Sequence, residues 1–402
     1  MSNTQKKNVP ELRFPGFEGE YSLDIFGNLA TNKSDKFNPQ NENASIDIEL
    51  DCIEQNTGRL IKIYNSKEFS SQKNKFNPQN VLYGKLRPYL NKYYFTKKSG
   101  VCSSEIWVLK STKEDKLLNL FLYYFIQTKR YSDVASKSAG SKMPRADWGL
   151  IENIRVYFPE LCEQQKIGEF FSKLDRQIEL EEQKLELLQQ QKKCYMQKIF
   201  SQELRFKDDN GNDYPEWEEK KLGELSQIVR GASPRPIKDP KWFNKESDIG
   251  WLRISDVTDQ NGKIYHLEQK LSIEGQEKTR VLLTTHLLLS IAARIGKPVM
   301  NFVKTGVHDG FLIFLNPKFN IFFMYYWLDY FKEKWSKYGQ PGSQVNLNSE
   351  IVKSQTLNMP SNHEQEKVGL FFSRNEKLIE LQQEKIMYLK RRKQALILKM
   401  FI

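Results

Sequence analysis

The chain has 402 residues, 39% of them hydrophobic and 12% aromatic, with a formal net charge of +12. That length accommodates two substantial cores, and the apolar content is that of a globular chain, not a disordered one. The longest apolar stretches, around residues 281–293 and 321–328, are short or broken by polar side chains, which argues against a helical membrane span.

In chain order, residues 1–19 form a tail without the apolar run of a signal peptide; it carries Glu11-Leu12-Arg13-Phe14. Residues 20–158 read as a mixed α/β globular part. The strand-like run Ile106-Trp107-Val108-Leu109, a turn at Asn56-Thr57-Gly58 and a helical run over 117–128 carry that reading. Residues 159–206 read as one long helix. Its apolar positions Ile167, Phe171, Leu174, Ile178, Leu185, Leu188, Tyr195 and Ile199 follow alternating steps of four and three, with Glu181 and Lys192 at the two skipped positions. Residues 207–359 repeat the mixed α/β pattern, with a strand at Phe311-Leu312-Ile313-Phe314, a turn at Asn261-Gly262 and a helical run over 322–334. Residues 360–402 read as a second long helix, in which Val368, Phe372, Asn375, Ile379, Gln382, Ile386, Leu389, Lys393, Leu396 and Met400 keep the register of the first. Lys192 and Lys393 stand at equivalent places on this seam. About 40 residues per helix give rods of roughly 60 Å.

The chain is therefore one module written twice. The segment PELCEQQKIGEFF at 159–171 returns as PSNHEQEKVGLFF at 360–372, and Lys198-Ile199-Phe200 returns as Lys399-Met400-Phe401. Fainter matches relate 50–60 to 254–264 and 98–109 to 304–315. A repeat this long implies a domain plus its helix in each copy. Two helices of one register can pair antiparallel as a coiled coil about a pseudo-twofold axis; two unrelated surface helices are the alternative. Glu11-Leu12-Arg13-Phe14 also returns, as Glu203-Leu204-Arg205-Phe206 directly after the first helix. The N-terminal tail is thus expected near the C-terminus, as the missing continuation of the second helix.

The positive charge lies outside the helices. Residues 160–201 sum to −1 and 361–402 to +4, leaving nine of the twelve net charges on the globular parts and tail. A basic globular surface is what polyanion binding requires, although a basic balance also serves solubility. No phosphate loop and no H-E-x-x-H is present, and the four histidines have no metal-ligand spacing. The Asn-Pro-Gln runs at 38–40 and 77–79 lack the second proline and aromatic that hold a flipped adenine in amino-methyltransferases. The four cysteines form no C-x-x-C pair, which suits a reducing cytoplasm.

What the globular parts offer is basic and polar loops rich in small residues. The candidate DNA contacts are Lys85, Arg87, Ser141, Lys142 and Arg145 in the first part, and Arg230, Ser233, Arg235, Arg294, Lys297, Ser343, Gln344 and Asn346 in the second. Small residues let the backbone approach phosphates, Arg and Lys supply counter-charge, and Ser, Asn, Gln and Arg can read base edges. Each such residue could equally cap a turn or pair a carboxylate.

These motifs together resemble the DNA-specificity subunit of type I restriction–modification systems. The resemblance covers nearly the whole length. It rests on the doubled foot motif at 159–168 and 360–369, the Lys85-Leu86-Arg87-Pro88-Tyr89-Leu90 run and the Leu12–Phe17 start. The Tyr214-Pro215-Glu216-Trp217 and Leu222-Gly223-Glu224 steps also fit. The first half departs from the pattern, with Tyr21-Ser22-Leu23-Asp24-Ile25-Phe26-Gly27 where the second has Trp217 to Gly223. The resemblance implies two target-recognition domains reading a split double-stranded DNA sequence, held by two helices that set the gap. It implies no chemistry and no cofactor in this chain. S-adenosylmethionine, ATP and Mg²⁺ would serve partner subunits: two methylating subunits and endonuclease–translocase subunits. A stand-alone basic coiled-coil adaptor is the competing reading. Because the foot motif occurs twice, Glu163, Gln164 and Ile167 with Glu364, Gln365 and Val368 are expected to dock the two methylating subunits.

Overall fold

The computed structural model describes residues 8–43, 45–137, 143–292, 295–338 and 347–402. The chain forms two compact units, Met1–Gln183 with Gln383–Ile402, and Lys184–Gln382. The division falls inside both long helices, α1 (Leu161–Phe200) and α2 (Asn362–Met400). Each unit therefore holds one globular part, the first half of its own helix and the second half of the other. No described helix is long and apolar enough to cross a membrane.

In the first unit the strand Ser22–Ile25 pairs antiparallel with Arg155–Phe158 directly before α1. A four-stranded sheet runs in the order Ala30–Thr31, Ile106–Ser111, Val81–Gly84, Tyr93–Phe95. A five-stranded sheet runs in the order Lys36–Phe37, Lys73–Phe76, Gly100–Cys102, Ile46–Ile48, Tyr64–Asn65. The helix Asn119–Phe125 buries Phe121, Leu122, Tyr123, Tyr124 and Phe125. A helix apolar on every side has to be covered on every side; here one core joins it to the four-stranded sheet and to Ile167, Phe171 and Leu174 of α1. It is shorter than the predicted 117–128. Gln164 accepts the Leu118 N–H at one end, and the Thr128 hydroxyl donates to Phe125 O at the other.

The second unit repeats this plan. Glu218–Lys221 pairs with Thr356–Met359 before α2, and a five-stranded sheet runs Gln227–Arg230, Phe311–Leu315, Leu287–Ser290, Pro298–Asn301, Lys263–Ile264. The three strands Gly250–Leu252, Thr305–Val307 and Arg280–Leu282 form a smaller sheet. Ile321–Phe331 is the counterpart of the apolar helix and packs on Val368 and Phe372 of α2. The Asn261-Gly262 turn places both residues in the left-handed region, φ 49° and 85°. A Cβ at Gly262 would lie 2.7 Å from Pro298 O, so only glycine closes this turn.

The foot motifs lie inside the fold. Glu163, Gln164, Ile167, Glu364, Gln365 and Val368, expected to dock partners, are at most 2% exposed. Glu163 accepts from Arg13 Nε (2.9 Å), Arg13 Nη2 (2.7 Å) and the Tyr21 hydroxyl (3.3 Å). Glu364 accepts from Arg205 Nε (3.3 Å), Arg205 Nη2 (2.9 Å) and Trp217 Nε1 (3.0 Å). Gln164 donates to Lys116 O and Pro159 O, and Gln365 accepts the Asn320 N–H while donating to Pro360 O. Side chains with no free surface and filled hydrogen-bond capacity cannot be partner contacts, so the docking assignment for these six residues is corrected. The motif recurs because each helix foot must be joined to its globular part by the same satisfied buried polar groups. The irregular start of the first half finds its reason here too: Tyr21 supplies by its hydroxyl the donor that Trp217 supplies by its indole N–H.

The two Glu-Leu-Arg-Phe runs occupy matching places. After α1, the Leu204 N–H donates to Lys198 O (3.0 Å) and Phe206 meets Phe371 edge-on. In the first unit the Leu12 N–H donates to Lys399 O (2.9 Å), Lys399 Nζ reaches Glu11 (2.6 Å) and Phe14 meets Phe170 edge-on. The N-terminal run thus continues α2 without a covalent link.

Candidate nucleic-acid interface

The strand Val81–Gly84 delivers Lys85 and Arg87 to one end of the first unit's sheet. There the chain turns through Pro88–Leu90, with Arg87 and Asn91 both left-handed (φ 52° and 46°). The Ala146 N–H donates to Lys85 O (2.8 Å) and the Arg87 N–H to Pro144 O (2.7 Å), while Leu86 bridges Arg145. Two basic clusters nearly 60 residues apart therefore form one surface, with Arg87 exposed and Tyr89 beside it 56% exposed. Arg145 is tied bidentately to Glu105, Nε at 2.9 Å and Nη2 at 3.1 Å. That carboxylate raises the guanidinium's pKa and fixes its direction. Lys92, in the same run, is turned inward and donates to Leu50 O.

In the second unit Arg230, Ser233 and Arg235 converge on one residue, Asp309. Arg230 Nε donates to Asp309 O (2.6 Å), the Ser233 hydroxyl to Oδ1 (3.0 Å) and Arg235 Nη2 to Oδ2 (2.7 Å). Burial alone would raise the Asp309 pKa; the Ser233 hydroxyl, His308 and Arg235 hold it below the ordinary range. Arg235 remains 72% exposed. Behind this loop, Arg280 Nε donates to Arg230 O (2.7 Å). Lys297 does not join the group: its Nζ donates to Asn261 Oδ1 (3.1 Å) and faces Asp329, and burial lowers its pKa. Ser141, Lys142, Arg294, Ser343, Gln344 and Asn346 lie outside the described residues.

Both surfaces share one construction, exposed arginines aimed by a carboxylate from the turn before the central strand. Glu105 precedes Ile106–Ser111, and Asp309 precedes Phe311–Leu315. Reading the sequence missed these two acids. The repeat pointed to their segments, 98–109 and 304–315, but only as strands. Such a surface can hold phosphates with its outer cations and present a fixed guanidinium fork to a base edge.

The type I restriction modification DNA specificity domain model matches residues 20–190 and again 214–391. The chain is 26% identical over 310 residues to the type I restriction enzyme MjaVIII specificity subunit of Methanocaldococcus jannaschii, covering 72% of this chain and 71% of that one. It is 25% identical over 169 residues to the EcoDI specificity subunit of Escherichia coli, covering 40% and 37%. Among solved structures, a chain from work on complex assembly and conformational transition of the type I R-M system aligns with a TM-score of 0.60 at 17% identity, covering 94% and 96%. The type I restriction-modification S subunit from M. genitalium aligns with a TM-score of 0.57 at 14% identity, covering 98% and 99%.

Proposed function

Because the chain belongs to the type I restriction–modification DNA specificity family, we propose that it reads a split double-stranded DNA target, one half with the loops of each unit. Its role in such a system is DNA recognition, without catalysis of its own. The observation that carries the split reading is the contrast between frame and loops. Both units keep the same foot network and the same strand pair before the long helix, yet the surfaces at Arg87–Arg145 and Arg230–Arg235 are built from different residues. Two different half-sites follow from two different surfaces on one frame.

In this reading the chain directs adenine methylation and ATP-dependent restriction by partner subunits in the cytoplasm. S-adenosylmethionine, ATP and Mg²⁺ are then the partners' cofactors. Two methylating subunits per chain suit a duplicated frame. With the foot motifs buried, a second apolar row supports partner docking. Leu180, Leu187, Leu381 and Tyr388 are all exposed; each helix presents two of them at heptad spacing, and the two pairs differ by the 201-residue shift of the repeat. Sequencing methylated adenines in host DNA with and without the chain tests the split target. A gapped motif with two unlike halves is expected, and one continuous motif overturns the reading.

A further inference from the structure

Beside Asp309 in the second unit lies a cavity lined by Ile237, Phe243, Trp251, Ile254, Gln269 and His308, among others. None of these was singled out as a DNA contact. The His308 ring lies 5.5 Å from that of Trp251, which is 2% exposed and forms a rigid apolar wall. The Gly310 N–H donates to His308 Nδ1 (2.9 Å). Asp309 Oδ1 also lies 3.0 Å from Nδ1 but outside hydrogen-bond alignment, so the aligned Gly310 N–H makes Nδ1 the acceptor and places the hydrogen of the neutral ring on Nε2. Burial keeps the imidazole pKa below its ordinary value, with Arg235 and Arg230 adding to the effect against Asp309.

The cavity thus sets the His308 ring donor beside apolar Ile237, Phe243 and Ile254, with Lys238, Gln269 and an Arg253 held by Asp256 as its other polar lining, and it adjoins the exposed Arg235. In the major groove, thymine alone presents an acceptor, O4, beside a methyl group; guanine has two acceptors and no methyl, adenine and cytosine a donor. We infer that this cavity reads one thymine in the half-site of the second unit, His308 Nε2–H donating to O4 and the apolar wall taking the 5-methyl group. The inference rests on the split-target reading above. It concerns the second half alone, because the repeat places Cys102, fully buried, where the second unit has His308.

The test uses the chain assembled with its methylating subunits. Methylated adenines are sequenced in cells carrying the native chain or His308→Ala, and the native complex is titrated with target duplexes in which each thymine in turn is replaced by deoxyuridine. His308→Ala should relax one thymine position in one half-site and leave the other half unchanged. Deoxyuridine at that same position should weaken native binding about fourfold, the worth of one buried methyl group. An unchanged motif in His308→Ala, relaxation at a base other than thymine, or no thymine whose methyl matters overturns the inference. The deoxyuridine series needs no variant, so it decides even if His308→Ala folds poorly. A native motif without a gap would instead remove the split-target reading itself.

Discussion

Glu163 and Glu364 show what a single residue contributes here. Each is a carboxylate with a fully buried side chain, held by a guanidinium: Arg13, which precedes the strand Ser22–Ile25, or Arg205, which follows the end of α1 at Phe200. Removing one partner of such a pair strands the other charge, which costs far more than the intact pair contributes. Glu364→Gln is therefore expected to destabilise the second unit by roughly 3 kcal/mol. Thermal unfolding measures the loss, and the methylation motif of the surviving folded protein should be unchanged. The exposed arginines predict the opposite pattern. Arg87→Ala should leave the melting temperature within about 2 °C, since surface changes away from packed features are nearly neutral. If Arg87 meets a phosphate, that variant lowers the slope of log K against log salt by about 0.9. Binding titrations at several salt concentrations check this, and an unaltered slope would mean that Arg87 makes no phosphate contact.

At the scale of elements, each unit carries a buried polar cluster in the helix seam. In the second unit Lys192 Nζ lies 3.3 Å and Lys263 Nζ 2.5 Å from Glu376, to which the Tyr326 hydroxyl donates (2.7 Å). In the first, Lys393 Nζ lies 2.6 Å from Asp175, to which the Tyr124 hydroxyl donates (3.0 Å). The pairs 171 with 401 and 175 with 393 in one unit, and 192 with 376 and 195 with 371 in the other, run antiparallel within each unit. A polar cluster in an apolar seam fixes register, because any slip buries a charge alone. Burial by itself would raise the Glu376 pKa, but Lys192, Lys263 and Tyr326 outweigh it and hold the pKa below the ordinary 4.5. A depressed carboxylate pKa adds stability that is present above the ordinary value and lost as the pH falls through and below it. Calorimetry of the native chain should therefore show a steeper loss of stability below about pH 4.5 than Glu376→Gln, which lacks this group. Lengthening the helices tests them as spacers. One heptad inserted after Gln183 and another after Gln382 preserves the seam in both units, and seven residues add about 10 Å, or about three base pairs of gap. Inserting only one breaks the register and should abolish methylation, whereas an unchanged gap in the double insertion would refute the spacer role.

For the whole molecule, the exposed row of Leu180, Leu187, Leu381 and Tyr388 repeats in both helices and is left unused by internal packing. Leu187→Asp combined with Tyr388→Asp should keep the melting temperature near that of the native chain while abolishing assembly with methylating subunits. Size-exclusion chromatography with light scattering reads this, and a complex of native mass would show that docking lies elsewhere. The duplication, the heptad seam, the mixed α/β class and the basic loops were legible because each is a pattern in residue order, periodic or repeated at a fixed shift. The sequence by itself therefore determined that there are two modules, that each has a long helix of one register and which loops carry charge; the first helix ends at Phe200, short of the expected 206, because the chain turns there at Gln202, whose φ of 64° is left-handed. The role of the Glu-Gln motif was not legible, because repetition records a shared constraint without saying whether that constraint is a partner or a core. Only the tertiary structure decided it, by bringing Arg13 to Glu163 across 150 residues and Arg205 to Glu364 across 159. The N-terminal run at the end of α2 was legible in the repeat, whereas Glu105 beneath Arg145 and Asp309 beneath Arg235 came only with the tertiary structure. Such contacts follow from how sheets, turns and helix feet meet in space, and no spacing along the chain encodes that.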